Sequence, residues 1–178
     1  MSKTALKKEL SGYSKEQIIE VVLDLYESRS DVKEYFKFFL NPDSKALCER
    51  YQKVVEKELG RSKRGRSKAR ISVIKKKIKD FESFHPDNEY LHKFYQFIIL
   101  KALHTEDSLY FTDTFYKGIY FVVDRYLDFA NRNYELNMAL KYLDDITKYS
   151  MPGTRAFKVG ITDACQSFIK NKSITLNR

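Results

Sequence analysis

Apolar residues return at three- and four-residue steps along almost the whole chain, and few residues interrupt the rhythm. Ile18, Val22 and Leu25 open the series, followed by Val32, Tyr35, Phe36 and Phe39, and by Leu47, Tyr51, Val54 and Val55. It continues through Ile71, Ile74, Ile78 and Phe81, then Leu91, Phe94, Tyr95, Ile98 and Ala102, then Phe115, Tyr116, Ile119, Val122, Val123 and Tyr126. Leu136, Ala139, Leu140 and Leu143, and lastly Phe157, Ile161, Ala164 and Phe168, complete it. A period near 3.6 gathers each set onto one face of a helix. With only six glycines and three prolines there is little to punctuate short strands, so the pattern predicts seven or eight helices and no strand.

The ends of these helices are written in the residues between the stripes. Tyr13-Ser14-Lys15-Glu16-Gln17-Ile18 reads as a capping box that starts a helix at Lys15, because the Ser14 hydroxyl can accept from the Gln17 amide while Gln17 reaches back. A second start near Ser30 and Asp31 ends at Asn41-Pro42, and Asp43 and Ser44 cap the next helix. Gly60 is placed to end that helix in the left-handed conformation. After Pro86-Asp87 the stripe is joined by Phe97, Ile99 and Leu100, and a helix apolar on every side is expected to be deeply buried. Thr112 and Asp113 cap the next helix, Pro152-Gly153 precede the last, and the chain from Asn171 is expected to fray. Short connections make neighbouring helices antiparallel, so the expected fold class is all-α: a helical bundle or a short stack of helical hairpins resembling an α-solenoid. Its length suits a single domain over residues 1–178, with a basic connecting segment at 60–68.

Charge is distributed less evenly than hydrophobicity. From Arg61 to Lys79 the chain carries ten basic residues and no acid, while everything outside that segment holds 23 basic and 24 acidic residues. The protein is therefore close to neutral with one concentrated positive feature. Arg61, Lys63, Arg64, Arg66, Lys68, Arg70, Lys75, Lys76 and Lys79 are the candidate anion-binding residues. Six phosphate contacts from the arm would cost roughly a thousandfold in affinity between about 50 and 200 mM salt, with no means of reading sequence. The aromatic interleaving of a single-strand platform is missing, since Phe81 is the only ring between residues 61 and 81 and it faces the core. The same residues also read as a solvated helix face and a connection kept soluble by its charge. An anionic membrane surface is a third reading, without an apolar insertion face to support it.

No residue set carries a catalytic, metal or cofactor signature. Asp124 and Asp128 share a helix face at i, i+4, but Arg132 lies four residues after Asp128, so an ordinary surface pair is the plainer reading. His85, His92 and His104 have no metal-ligand spacing. Cys48 and Cys165 match neither a disulfide framework nor a zinc site and suit a reducing compartment. Gly118 and Gly160 stand alone within helical stripes, where close helix packing explains them. The amino terminus lacks the apolar core of a signal peptide, and no stretch is long and apolar enough to span a membrane.

Several phrases together resemble a known family: LKKEL at 6–10, LSGYSKEQIIE at 10–20, VKEYFKFFLNP at 32–42, SKAR at 67–70 with Ile78-Lys79-Asp80-Phe81, and Asp113-Thr114-Phe115-Tyr116. The family is bacterial, of similar length and of unknown function, and the 60–66 stretch here is more densely basic than its pattern. The resemblance implies an all-helical, cytoplasmic protein and brings no activity with it. The functional expectation is a non-enzymatic binding module, without cofactor, that engages a polyanion weakly and in a salt-dependent manner, nucleic acid first among them. The alternative is a scaffold that recognises a protein partner through an exposed aromatic or concave face, with the arm as spacer.

Overall fold

The structure is a computed structural model of the chain, and it describes residues 2–60, 68–109, 111–132, 136–150 and 155–176. Among the described residues there are nine α-helices and no strand. The chain divides into two compact units, Met1–Asp43 and Ser44–Arg178.

The first unit holds α1 (Lys3–Leu10), α2 (Lys15–Ser28) and α3 (Ser30–Leu40). The capping box forms as its sequence requires: the Gln17 amide donates to Ser14 Oγ at 3.2 Å, and the Ser14 amide donates to Gln17 Oε1 at 2.8 Å. Helices α2 and α3 meet through Tyr26 and Phe36, whose ring centroids are 6.2 Å apart, and Tyr35 and Phe39 extend the cluster. The ninth helix, beyond the seven or eight expected, is α1. Ser2 caps it by accepting from the Ala5 amide, but its eight residues hold only Ala5, Leu6 and Leu10 as apolar ones, too few to announce a stripe.

The second unit is a bundle of α4 (Ser44–Leu59), α5 (Ile71–Ser83), α6 (Asn88–Glu106), α7 (Asp113–Arg132), α8 (Leu136–Ser150) and α9 (Ala156–Leu176). Helix α6 packs against α4, α7 and α8. Ten of its 19 residues are buried, which is the consequence of being apolar on every side. The packing runs from α4 and α5 onto α6 and α7, and from these onto α8 and α9, so the six helices form a bundle of three successive antiparallel hairpins with α6 inside it. The core is layered with rings: Phe81 and Phe94 lie 4.8 Å apart with Tyr51 against both, and Tyr95 stacks on Tyr126 at 5.3 Å. Arg155, just before α9, donates to the carbonyl and the Oε1 of Glu106 at the end of α6, and Lys158 pairs with Asp107, tying the start of α9 to the end of α6.

Two glycines set helix spacing, as their isolation within stripes predicts. A Cβ on Gly118 would lie 2.1 Å from Ile71 Cγ1, and one on Gly160 would lie 2.5 Å from Tyr120 Oη. Gly118 thus lets the first residue of α5 approach α7 in a way no other side chain permits. Two terminal expectations are corrected. Gly60 is not left-handed: its amide meets the Glu56 carbonyl at 2.7 Å, and a Cβ would lie 2.7 Å from that oxygen, so close approach is what asks for glycine. Among the described residues other than glycine, Ala69 (φ 43°) and His85 (φ 51°) are the left-handed ones. Nor does helix end at Asn171, since α9 continues to Leu176. Pro152-Gly153 lies outside the described residues.

Candidate anion-binding cleft

Of the nine basic residues singled out in the sequence, Arg61, Lys63, Arg64 and Arg66 lie outside the described residues. The remaining five separate into two groups. Arg70 belongs to the fold: its Nε donates to Glu58 Oε2 at 2.8 Å and its Nη2 to Glu58 Oε1 at 2.6 Å. Glu58 is buried, with 6% of its side chain exposed, and its carbonyl accepts from the Ala69 amide at 2.8 Å. The end of α4 and the chain entering α5 are therefore clamped together. The Arg70 guanidinium, with a smaller contribution from Lys68, holds the Glu58 carboxyl below the ordinary carboxylate range. Lys68 itself is exposed.

Lys75, Lys76 and Lys79 form the second group. Ile74 and Ile78 are buried on the inward face of α5, and the lysines run along the flank beside that face. With Ile78, and with Phe121 and Arg125 of α7, they line a cleft of ≈ 300 Å³. Lys75 Nζ stands 4.1 Å from the centroid of the Phe121 ring, a cation–π contact. None of the three lysines is ion-paired to a carboxylate among the described residues. Their neighbour Lys77 differs, since it pairs with Asp80 at 2.9 Å and lies over Tyr51.

Arg125 is held from behind. Its Nη2 pairs with Glu82 Oε2, its Nε approaches Glu82 Oε1 and Tyr95 Oη at 3.1 Å each, and the Tyr95 hydroxyl donates to Glu82 Oε1 at 2.6 Å. Hydrogen bonding to Glu82 raises the Arg125 pKa, so the group stays charged, and burial above all raises that of Tyr95, so the phenol stays neutral and a donor. The guanidinium is thereby fixed in orientation with its charge balanced by Glu82, and the net positive charge of the cleft comes from the lysines. Sequence reasoning missed Phe121 and Arg125. The available signal was a phenylalanine beside the stripe residues Val122 and Val123 but four residues from Lys117 and from Arg125, on a charged side of α7; it is 47% exposed.

A second cleft, of ≈ 420 Å³, is lined by Gln52, Lys93, Gln96, Phe97, Leu100, Lys101, His104 and Tyr149. Its cations are balanced: Lys93 pairs with Glu89 and Lys101 with Glu56. His104 Nδ1 lies 2.9 Å from Tyr149 Oη, and that hydroxyl donates to Asp107 Oδ2 at 3.1 Å.

The other residues considered from sequence take structural places. Asp124 and Asp128 are exposed, and Arg132 donates to the backbone carbonyl of Asp128 rather than to its carboxylate. No group of three or more possible metal ligands occurs among the described residues. His92 is buried, 3.0 Å from Tyr126 Oη through Nδ1 and stacked on Tyr142. Both cysteines are buried and free, and burial pushes the Cys48 thiol up to about 11 and the Cys165 thiol up to about 12. No helix is long and apolar enough to cross a membrane among the described residues.

The family model that matches is that of a family of unknown function (DUF6155), over residues 1–151. No curated protein and no solved structure matches the chain.

Proposed function

We propose that the chain, which belongs to the DUF6155 family of unknown function, is a non-enzymatic helical binding module that engages a polyanion, nucleic acid first among them. The observation that carries this reading is that Lys75, Lys76 and Lys79 share one cleft and meet no carboxylate among the described residues, whereas Lys93 and Lys101 of the second cleft are each paired with one. Unbalanced charge at that density repels itself and is stabilised by phosphate. Arg61, Lys63, Arg64, Arg66 and Lys68 precede the ridge in sequence and add to the charge available to the same partner.

The test is a gel shift across a salt series, comparing the wild type with two variants: Lys75, Lys76 and Lys79 changed to Ser, and Arg61, Lys63, Arg64 and Arg66 changed to Ser. Each lost contact should reduce the slope of log affinity against log salt by about 0.7 to 0.9. Absence of binding at low salt, or binding unchanged in both variants, removes the proposal.

The first unit favours a second reading, a scaffold for protein interaction. Helices α1, α2 and α3 bury no residue, and Ile19, Leu23, Leu25, Tyr35, Phe39 and Leu40 are all exposed. Residues 1–43 carry seven basic and eight acidic side chains, so a partner face must be apolar and nearly neutral. A second copy of the same hairpin meets that requirement without like-charge repulsion, and two hairpins make a four-helix arrangement.

A further inference from the structure

We infer that the cleft between α5 and α7 takes single-stranded nucleic acid, with a base stacked on Phe121 and the neighbouring phosphates on Lys75, Lys76 and Lys79; this rests on the polyanion reading and specifies its ligand. The lysine segment of the sequence contains no exposed ring, but the fold supplies one from a helix 46 residues further along, and it places that ring against Lys75.

Four features argue for a single strand. Phe121 is 47% exposed while its helix neighbours Val122 and Val123 are buried, so its ring is presented to solvent where Lys75 meets it and where Lys76 and Lys79 line the same cleft. A lysine over a ring holds the phenyl plane in place and can move off it to a phosphate, leaving the flat face to a base. Lys75 and Lys79 are one helical turn apart, about 6 Å along the axis, comparable to the step between successive phosphates of a stretched strand. Arg125, fixed from behind by Glu82 and Tyr95, adds a rigid planar edge at the rim, suited to a phosphate oxygen or to the edge of a base. A duplex keeps its bases stacked on one another and offers Phe121 no free face, and a sulfated polysaccharide has phosphate-like charge but no aromatic surface.

The experiment measures fluorescence anisotropy at low salt with the full chain against three probes: a labelled oligothymidylate, a duplex of the same length, and heparin as competitor. The proteins are the wild type, Phe121→Ala, Phe121→Tyr, and the Lys75, Lys76, Lys79 to Ser variant. The expected result is tighter binding of the single strand than of the duplex. Phe121→Ala should lose about tenfold on the single strand, the low end of what base stacking on an aromatic ring contributes. Phe121→Tyr should keep the affinity, and heparin should compete equally against the wild type and Phe121→Ala. Unchanged single-strand binding in Phe121→Ala, equal losses on oligothymidylate and heparin, or preference for the duplex would overturn the stacking site while leaving polyanion binding intact. Failure of the wild type to bind any of the three overturns the polyanion reading itself.

Discussion

Arg70 grips Glu58 through two parallel hydrogen bonds of 2.8 and 2.6 Å, and it does so with 57% of its own side chain in solvent while the carboxylate is buried. One member of the most basic stretch of the sequence is thus a structural residue. Of the charges read together from sequence, the fold assigns Arg70 to closing the α4–α5 connection and leaves the lysines of α5 at the cleft.

This clamp has a pH signature. The Glu58 carboxyl lies below its ordinary range because Arg70 hydrogen-bonds its charged form. A carboxyl depressed in the folded state contributes stability above its unfolded pKa, about 4.3, and loses that contribution as pH falls through the folded value. Glu58→Gln has no charge to lose. Urea midpoints of wild type and Glu58→Gln should therefore differ most at neutral pH, with the wild type more stable, and converge progressively as the pH falls below the ordinary carboxylate value of about 4.3. A gap that persists or widens on acidification rules out the ion pair as its source.

Substituting Gly118 should separate α5 from α7. A Cβ there would lie 2.1 Å from Ile71 Cγ1, and the β-branched Ile71 has little rotamer freedom with which to give way. Gly118→Val should destabilise by about 1–3 kcal/mol, and Ile71→Ala in the same chain should recover part of the loss through a coupling of at least about 0.5 kcal/mol. Additive effects in the double-mutant cycle would disprove the contact.

Self-association through the first unit is checked by sedimentation velocity over a range of concentrations. Phe39 and Leu40 are 62% and 69% exposed at the end of α3, and Leu23 is 54% exposed on α2. The wild type should sediment as a concentration-dependent dimer, and Leu23→Ser with Phe39→Ser should sediment as a monomer with unchanged helical circular dichroism. A wild type that is monomeric throughout removes the second copy as occupant of this face.

The cysteines report on opening of the bundle. Both thiols are buried, and burial raises them to about 11 at Cys48 and about 12 at Cys165, so almost no thiolate is present near neutral pH. An aromatic disulfide reagent should leave both unmodified in the native protein and titrate two thiols after unfolding. Fast stoichiometric reaction under native conditions would contradict the burial.

Much of the fold was legible in local chemistry. Ser14 and Gln17 fix the start of α2 within their own turn, and the stripe from Leu91 to Ala102 announces α6 because a central helix must be apolar on every side. What escaped was of two kinds. Helix α1 is only eight residues long, so capping and propensity form it without room for a periodic signal. Phe121 and Arg125 escaped because their role depends on a helix pairing, and the approach of α7 to α5 is recorded in sequence only as an isolated glycine. The left-handed turn fell at Ala69 rather than Gly60 because the Glu58 carbonyl captures the Ala69 amide, a contact across a connection that local reading does not span.

The missing side chain at residue 118 gives a way to sort relatives. Gly118, Phe121 and Arg125 follow one another on a single face of α7 at the spacing of successive turns, as Ile71, Lys75 and Lys79 do on α5. A homologue that carries a bulky residue in place of that glycine and keeps isoleucine opposite it would hold the two helices further apart, and its aromatic ring would then stand clear of the lysines. The two alignment columns at 71 and 118, read together, therefore separate the sequences able to assemble this groove from those that keep only the bundle.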